Sequence, residues 1–376
     1  MTVALTFGVE EEFLVVDATG RPVPAGRAVL ADAVSDGSDG EDKELQPEMI
    51  ASQVESATPV CTSVGELVGH LDRLRETLAA SARDHSLRLI ASGTPPLGEA
   101  SPPPLTPERR YHRIADHFRN LMKSANVCGC HVHVGVPDRE TGLHVLNHLR
   151  PWLPALLAVS ANSPFADGAD TGYASWRHMQ MSNWPSAGPP PLLRSPAEYD
   201  ATLATMTRSG ALLDPGMAYW DIRLSPTYPT VEIRVCDVMI TTSEAALIAV
   251  LTRGLVATAL RRDDAPEVAQ EVVRADLWLA GRDGLRGRCA APSGSPPASR
   301  VLDRLVAEVR PVLEDEDRDF VDRVTDRLAQ VGDGATRQRA AFARAGRTED
   351  VVAMLAEATA ARLTVSDRGC AGSRSR

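Results

Sequence analysis

The chain has 376 residues, a formal net charge of −10, 43 % hydrophobic and 24 % charged residues. At roughly 150 residues per domain, that length holds two or three domains or one large body, and the composition excludes disordered, collagen-like and disulfide-scaffold classes. An acidic chain with only 4 % aromatic residues lacks the basic, stacking surface of a nucleic-acid binder. Small molecules or protein are therefore the expected partners, with no nucleic acid and no membrane. The most apolar run, 245–260, is interrupted by Arg253 and falls short of the roughly 18 residues that a span needs. Residues 1–10 carry no basic leader, so a cytoplasmic location is expected. The six cysteines do not have the spacing of a secreted framework. Two lysines, Lys43 and Lys123, lie outside any GxxxxGK[ST] loop, which excludes a P-loop and disfavours Schiff-base chemistry.

In chain order, alternation predicts a strand over 5–16, followed by an acidic loop over 32–44 and a strand over 50–57. A Ser63-x-x-Glu66 capping box opens a predicted helix over 64–85, with Val64, Leu67, Val68, Leu71, Leu74 and Leu78 on one face. A strand over 87–92, a proline-rich loop over 94–107, a helix from Thr106-Pro107 to Leu121 and a strand over 128–136 come next. A helix over 141–160 and a loop over 185–191 precede strands over 219–224 and 230–235. Helices are predicted over 243–260, 299–313, 320–330 and 348–363, with a loop over 292–299 and a disordered tail over 365–376. The expectation is one large catalytic domain over 1–376: a sheet-rich core over 5–260 carries the site, and a mostly helical part covers 261–364. Regular βα alternation and Gly-x-Gly-x-x-Gly are absent, so the fold class is α+β with a mainly antiparallel sheet rather than a Rossmann fold.

Side chains two apart on a strand share a face. This pairs Glu10 with Glu12, Gln53 with Glu55, His131 with His133, Asp221 with Arg223 and Glu232 with Arg234. Val9, Phe13 and Val15 face the other way, as do Cys128, Cys130, Val132 and Val134, whose cysteines read as small core residues. Glu11 interrupts the apolar face and has no evident partner. One such pair describes a solvated sheet face, but five on helix-flanked strands describe a lumen. Glu10, Glu12, Glu48, Glu55 and Glu232 cannot crowd there ionised without a cation, because like charges raise one another's pKa. Carboxylates in this number suit Mg²⁺ better than zinc, and Arg177, Arg223 and Arg234 can fork a carboxylate or phosphate.

The segments Gly8–Phe13, Gln53–Cys61, Cys128–Gly135, Ser163–Phe165, Asp170–Arg177 and Trp220–Asp237 closely resemble the carboxylate-amine ligase (YbdK-like) branch of the glutamate-cysteine ligase type 2 family, with likeness running over about 5–364. The resemblance implies a glutamine synthetase-like catalytic core, an antiparallel sheet forming an open funnel backed by helices. It also implies ATP and Mg²⁺ as cofactors. ATP would phosphorylate the γ-carboxylate of glutamate, and an amine such as that of cysteine would displace phosphate. By this likeness Glu10, Glu12, Glu48, Glu55 and Glu232 are metal ligands, with Glu48 needing a kink after Pro47 to turn inward. His131, His133 and Arg223 lie beside the nucleotide, and Arg177 and Arg234 clamp the acid or its phosphate, with Glu232 sharing metal and ATP. A homodimer is left open. Two other classes remain: a hydrolase with a metal on His131, His133 and Glu232, and a nucleotide or amino-acid sensor without turnover.

Overall fold

Residues 5–34, 44–98, 100–288 and 296–361 are described by the structure, a computed structural model. The chain begins with β1 (Phe7–Val16), α1 (Gly26–Val34), β2 (Leu45–Pro47), β3 (Gln53–Ala57), α2 (Val64–Asp84) and β4 (Arg88–Ile90). Next come α3 (Arg109–Phe118), β5 (Gly129–Gly135), α4 (Arg139–Leu149), α5 (Leu153–Ser160), the hairpin of β6 (Phe165–Ala166) and β7 (Ala169–Asp170), α6 (Trp176–Met181) and α7 (Pro196–Arg208). After β8 (Ile222–Leu224) and β9 (Thr230–Asp237) the rest is helical: α8 (Thr242–Ala259), α9 (Gln270–Asp283), α10 (Ala298–Val309), α11 (Asp315–Val331), α12 (Gly334–Ala345) and α13 (Thr348–Thr359). The expected tail over 365–376 and most of the acidic loop over 32–44 lie outside the described residues.

Local chemistry accounts for several boundaries. The capping box forms as expected: the Glu66 N–H donates to Ser63 Oγ and the Ser63 N–H to Glu66 Oε2, each at 3.2 Å. The single helix expected over 141–160 is instead α4 and α5 separated by a 3-10 turn at Arg150–Trp152. Pro151 and Pro154 remove amide donors there and interrupt the α-helical ladder. Five helices were not anticipated: α1, α6, α7, α9 and α12. Helix α7 carried a readable start, since Ser195 caps the Glu198 N–H at 3.1 Å with Pro196 at the first helical position. Contrary to the expectation drawn from Arg253, α8 is by length and composition apolar enough to cross a membrane. It is a core helix, packed against β1, β5, α2, α4, α10 and α11.

The sheet runs in the order β2-β3-β1-β5-β9-β8, antiparallel throughout, with β4 added to β1. β1 uses both edges. Glu10 to Leu14 pair with β3 on one side, Phe7 to Glu11 pair with β5 on the other, and Val16, Val15 and Leu14 extend that second edge along β4. Between β5 and β9 the register shifts by a bulge: Cys130 faces Cys236, but Val132 faces Ile233. One sheet face, with Phe7, Val9, Cys130, Val132, Val134, Ile222, Val231 and Ile233, packs into a core with Leu67 and Leu71 of α2 and the buried side of α8. Cys128 corrects the expected alternation. It precedes β5 and joins a second cluster with Leu14, Ile90 and Phe165, and Gln53 Nε2 donates to its Sγ at 3.3 Å.

The structure also supplies the partner that Glu11 lacked in the sequence. Glu11 points into the apolar face beside Arg75 of α2, the two side chains 0 % and 2 % exposed. Arg75 donates to Glu11 from Nε at 2.9 Å and from Nη2 at 2.5 Å, and also to the carbonyls of Met239 and Ile240 at 2.9 and 2.8 Å. Its guanidinium further stacks 5.3 Å from the Phe13 ring centre. Glu11→Gln should therefore lower the unfolding free energy by about 3–5 kcal/mol, the scale of leaving one buried charge unpaired. A Glu11→Leu/Arg75→Met double variant should recover much of the loss in urea denaturation, because neither buried charge then remains.

Candidate active site

The opposite face of the sheet carries the charge. Antiparallel pairing sets Glu12 across from Glu55, Glu10 across from His131, and Glu232 between His133 on one side and Arg223 on the other. The side chains are recessed rather than solvated: His131 is 5 % exposed, Glu232 2 % and Glu12 14 %. This fits the lumen inferred from five like strands better than an outer surface.

Glu10 lies between the two histidines, with His131 Nδ1 3.2 Å from its Oε2 and His133 Nε2 3.3 Å from its Oε1. Burial alone would raise its pKa, but hydrogen bonding and charge from His131 and His133 outweigh that and hold the carboxyl well below its usual range. Burial, reinforced by Arg234, lowers the pKa of His131. The other His133 nitrogen, Nδ1, is 2.9 Å from Thr230 Oγ1. Glu12 Oε2 accepts the Gly129 N–H at 2.5 Å, and its Oε1 is 3.9 Å from His131 Nε2.

Around Glu12 the carboxylates crowd. Beyond Pro47 the chain brings Glu48 against Glu55, the inward turn that the strand parity alone did not give, and the Met49 N–H donates to Glu48 Oε2 at 3.0 Å. Burial first and the charge of Glu12 second push Glu48 up to about 7. Burial, with Glu48, Glu10 and Glu12 around it, carries Glu55 well above its ordinary value. Two groups, Glu12 with Glu55 and His131, and Glu10 with His131 and Glu232, each bring three ligand atoms within 4.8 Å of one another.

At the other edge two arginines meet one carboxylate. Arg223 Nε and Nη2 donate to Glu232 at 2.7 and 3.1 Å, and its Nη1 donates to the carbonyls of Gly216 and Ala218 at 2.9 and 3.2 Å. Arg234 Nη1 donates to Glu232 Oε1 and lies 3.5 Å from His131 Nδ1. Although burial opposes ionisation, Arg234 and Arg223 draw Glu232 down to about 2. Arg177 sits apart from this triad. It is buried, and its Nη1 and Nη2 donate to the carbonyls of Val235 and Arg234 at 3.3 and 3.2 Å.

Two residues essential to this arrangement were not singled out from the sequence. The buried Asp237 carboxylate accepts the Asn162 N–H at 2.9 Å, Ser163 Oγ at 2.7 Å and Ser175 Oγ at 2.8 Å, so it ties the Ser163 and Asp170–Arg177 segments to β9. Gly129 must lack a side chain, because a Cβ there would come within 2.3 Å of Arg177 Nη2. The Cys-Gly-Cys spacing was visible, but the need for that glycine comes from Arg177, which is distant in sequence.

The sequence matches the family model for glutamate-cysteine ligase family 2 (GCS2) over residues 6–357. The chain belongs to this family. "Putative glutamate--cysteine ligase 2-1" of Rhodococcus jostii (strain RHA1) is 45 % identical over 358 residues, covering 93 % of this chain and 95 % of that protein. The protein of the same name from Nocardia farcinica (strain IFM 10152) is 46 % identical, over 98 % of this chain and 95 % of the relative. Two solved structures have a similar fold. One is a bifunctional glutathione synthetase from Pasteurella multocida, with TM-score 0.71 at 16 % identity, covering 95 % of this chain and 52 % of that one. The other is a glutamate–cysteine ligase from Francisella tularensis in complex with AMP, with TM-score 0.67 at 13 % identity, covering 98 % of this chain and 91 % of that one. The fold is thus α+β and glutamine synthetase-like, and family membership gives the coarse activity, an ATP-dependent carboxylate–amine ligase of the glutamate–cysteine ligase type.

The crowded carboxylates have a measurable signature. An acid whose folded pKa is raised costs stability as pH climbs from its unfolded pKa toward the folded one. Glu48→Gln and Glu55→Gln should each raise the melting temperature of metal-free protein at pH 8, well above the ordinary carboxylate range, where the raised pKa of the buried parent acid costs most stability. At pH 5 both gains should shrink, because the protonated parent already resembles the amide. Differential scanning calorimetry at the two pH values checks both.

Proposed function

We propose that the protein activates the side-chain carboxylate of an amino acid, most simply the γ-carboxylate of glutamate, as an acyl phosphate. The amine of a second molecule, most simply cysteine, then captures it as an amide. The observation that carries this reading is one recessed sheet face on which a surplus of carboxylates around His131 adjoins the Arg223–Glu232–Arg234 triad.

The donor set fits a hard divalent cation. Glu10, Glu12 and Glu55 converge around His131, and the raised pKa values of Glu48 and Glu55 mark negative charge in need of neutralisation. Glu10, Glu12 and Glu55 would hold Mg²⁺, with Glu48 and Glu232 adjoining. Bound there, the metal supplies charge neutralisation for the phosphates of ATP. The chain does the rest by positioning. His131 and His133 present ring nitrogens beside Glu10 toward the nucleotide, and Arg234 lies next to them with a charge that does not titrate near neutrality.

In the first step an oxygen of the acid attacks the γ-phosphorus of ATP and ADP leaves with the bonding pair. In the second step the amine nitrogen bonds to the acyl carbon, the C–O bond to phosphate breaks, and the nitrogen gives up a proton. An acyl phosphate survives only where water is kept away, which the recessed setting of His131 and Glu232 supports. Both Glu232 oxygens are bound by arginine, and the two cations beside a carboxylate-rich recess suit the anionic phosphates of ATP, which a hydrolase acting without ATP would not need. Small-molecule substrates, a cytoplasmic setting and independence of nucleic acid and membrane belong to the same proposal, which leaves a homodimer open.

Release of ADP and phosphate should require the acid, the amine and Mg²⁺ together. Turnover without ATP would instead mark a hydrolase, and nucleotide binding without turnover a sensor. Glu10→Gln and Glu12→Gln should each lower turnover by about a hundredfold or more, while preserving the fold by circular dichroism. Arg234→Lys keeps the charge but loses the fork. Turnover should fall steeply with little change in ATP affinity, whereas a purely structural pair with Glu232 would lower the melting temperature and leave the rate per folded molecule intact.

A further inference from the structure

Asp221 lies just before β8 on the charged face, and among the described residues no arginine or lysine forms an ion pair with it. The Arg234 N–H donates to the Asp221 carbonyl at 2.8 Å, so the two residues face one another just before β8, two residues along from the Arg223–Glu232 pair and on the same face. The Arg234 guanidinium turns away to Glu232. Asp221 is 7 % exposed, and its buried Oδ2 has no hydrogen-bond donor. Its other oxygen, Oδ1, lies 4.0 Å from His178 Nδ1, but burial drives the His178 pKa down to about 3, so the imidazole is neutral and offers no counter-charge.

The charge that most opposes the burial of Asp221 is that of Arg177, which has a buried unpartnered atom of the opposite character. Arg177 holds the Arg234 carbonyl with Nη2 and the Val235 carbonyl with Nη1, yet its Nε is buried with no acceptor. Arg177 and Asp221 are thus bonded to the same residue's backbone, one through the Arg234 carbonyl and the other through its N–H. They leave an acidic oxygen and a cationic N–H unsatisfied at the edge of the site. Buried polar atoms are rarely left without partners, and an acceptor beside a donor matches the ammonium and carboxylate of an α-amino acid. A simple carboxylic acid would leave the Asp221 oxygen orphaned, the situation in which a polar pocket discriminates most strongly.

We propose that Asp221 is the specificity residue that receives the α-ammonium group of the acid substrate, restricting the site to amino acids. This rests on the ligase reading above and deepens it. Burial pushes Asp221 up to about 7 against the opposing charges of Arg177, Arg274 and Arg234, and an arriving ammonium would relieve that cost of ionisation.

Full-length protein and Asp221→Asn should be compared with glutamate and with glutarate, which lacks only the amino group. ADP release with cysteine, ATP and Mg²⁺ is one readout, and calorimetric binding of each acid is the other. The parent should prefer glutamate by about tenfold to a hundredfold, the scale of one charge-assisted hydrogen bond. Asp221→Asn should lose that preference through a higher KM for glutamate, with glutarate scarcely affected, and Asp221→Glu should restore part of it. A folded Asp221→Asn protein that still prefers glutamate overturns the assignment while the ligase activity stands. A parent protein that binds glutamate no better than glutarate, yet turns over, overturns it too. If the parent neither binds glutamate nor releases ADP, the ligase reading falls with it.

Discussion

Three consecutive glutamates on one strand cannot all face the same way, and the Glu11–Arg75 pair resolves that constraint. With Glu10 and Glu12 on the site face, Glu11 must enter the helical core, where an unpaired carboxylate would cost several kcal/mol. Arg75 meets it with two hydrogen bonds and donates two more to the carbonyls of Met239 and Ile240. The same guanidinium therefore connects α2, β1 and the segment that leads from β9 into α8. A one-residue slip of β1 would put two glutamates against α2 with one arginine to serve them, so the pair holds the strand in register as well as neutralising it.

On the other face, charge is distributed unevenly by design of the strand order. Glu232 has two arginines, whereas Glu12, Glu48 and Glu55 have one another. At the paired end Glu232 is satisfied by arginine and a net positive charge remains. The crowded end is high in free energy without a cation, and it gains most from one. The recess therefore carries a charge gradient from its carboxylate-rich end to its arginine-rich end.

Much of this was legible in the sequence because strand periodicity leaves few choices. The pairs Glu10/Glu12, Glu232/Arg234 and His131/His133 lie on one face as the alternation requires, and the pairing of the strands brings them together. Glu48 turns inward after Pro47 in spite of its parity. What escaped depended on contacts far apart in the chain or on broken periodicity. Arg75 is one charged residue on an amphipathic helix, and nothing local marks it as the partner of Glu11. Asp237 and Cys128 lie where alternation breaks, and α4 and α5 separate at Pro151 and Pro154, which break the helical ladder within an otherwise long apolar run. Helix α7 is legible in the sequence from Ser195, Pro196 and Glu198, the cap, the first-position proline and the acidic first turn that start it.

The bulge on β9 has a consequence for how this strand can change. Counting by twos from Glu232 would put Cys236 on the charged face and Asp237 in the core, but the extra residue opposite His131 reverses both, sending Cys236 into the core and Asp237 toward Ser163, Ser175 and Arg177. The strand therefore carries a phase change between its two functional ends. Chain length between Arg234 and Asp237 is constrained more tightly than residue identity. Replacing Val235 with another branched apolar residue leaves both ends in phase, whereas removing a single residue would heal the ladder and turn Asp237 away from the segments that it anchors.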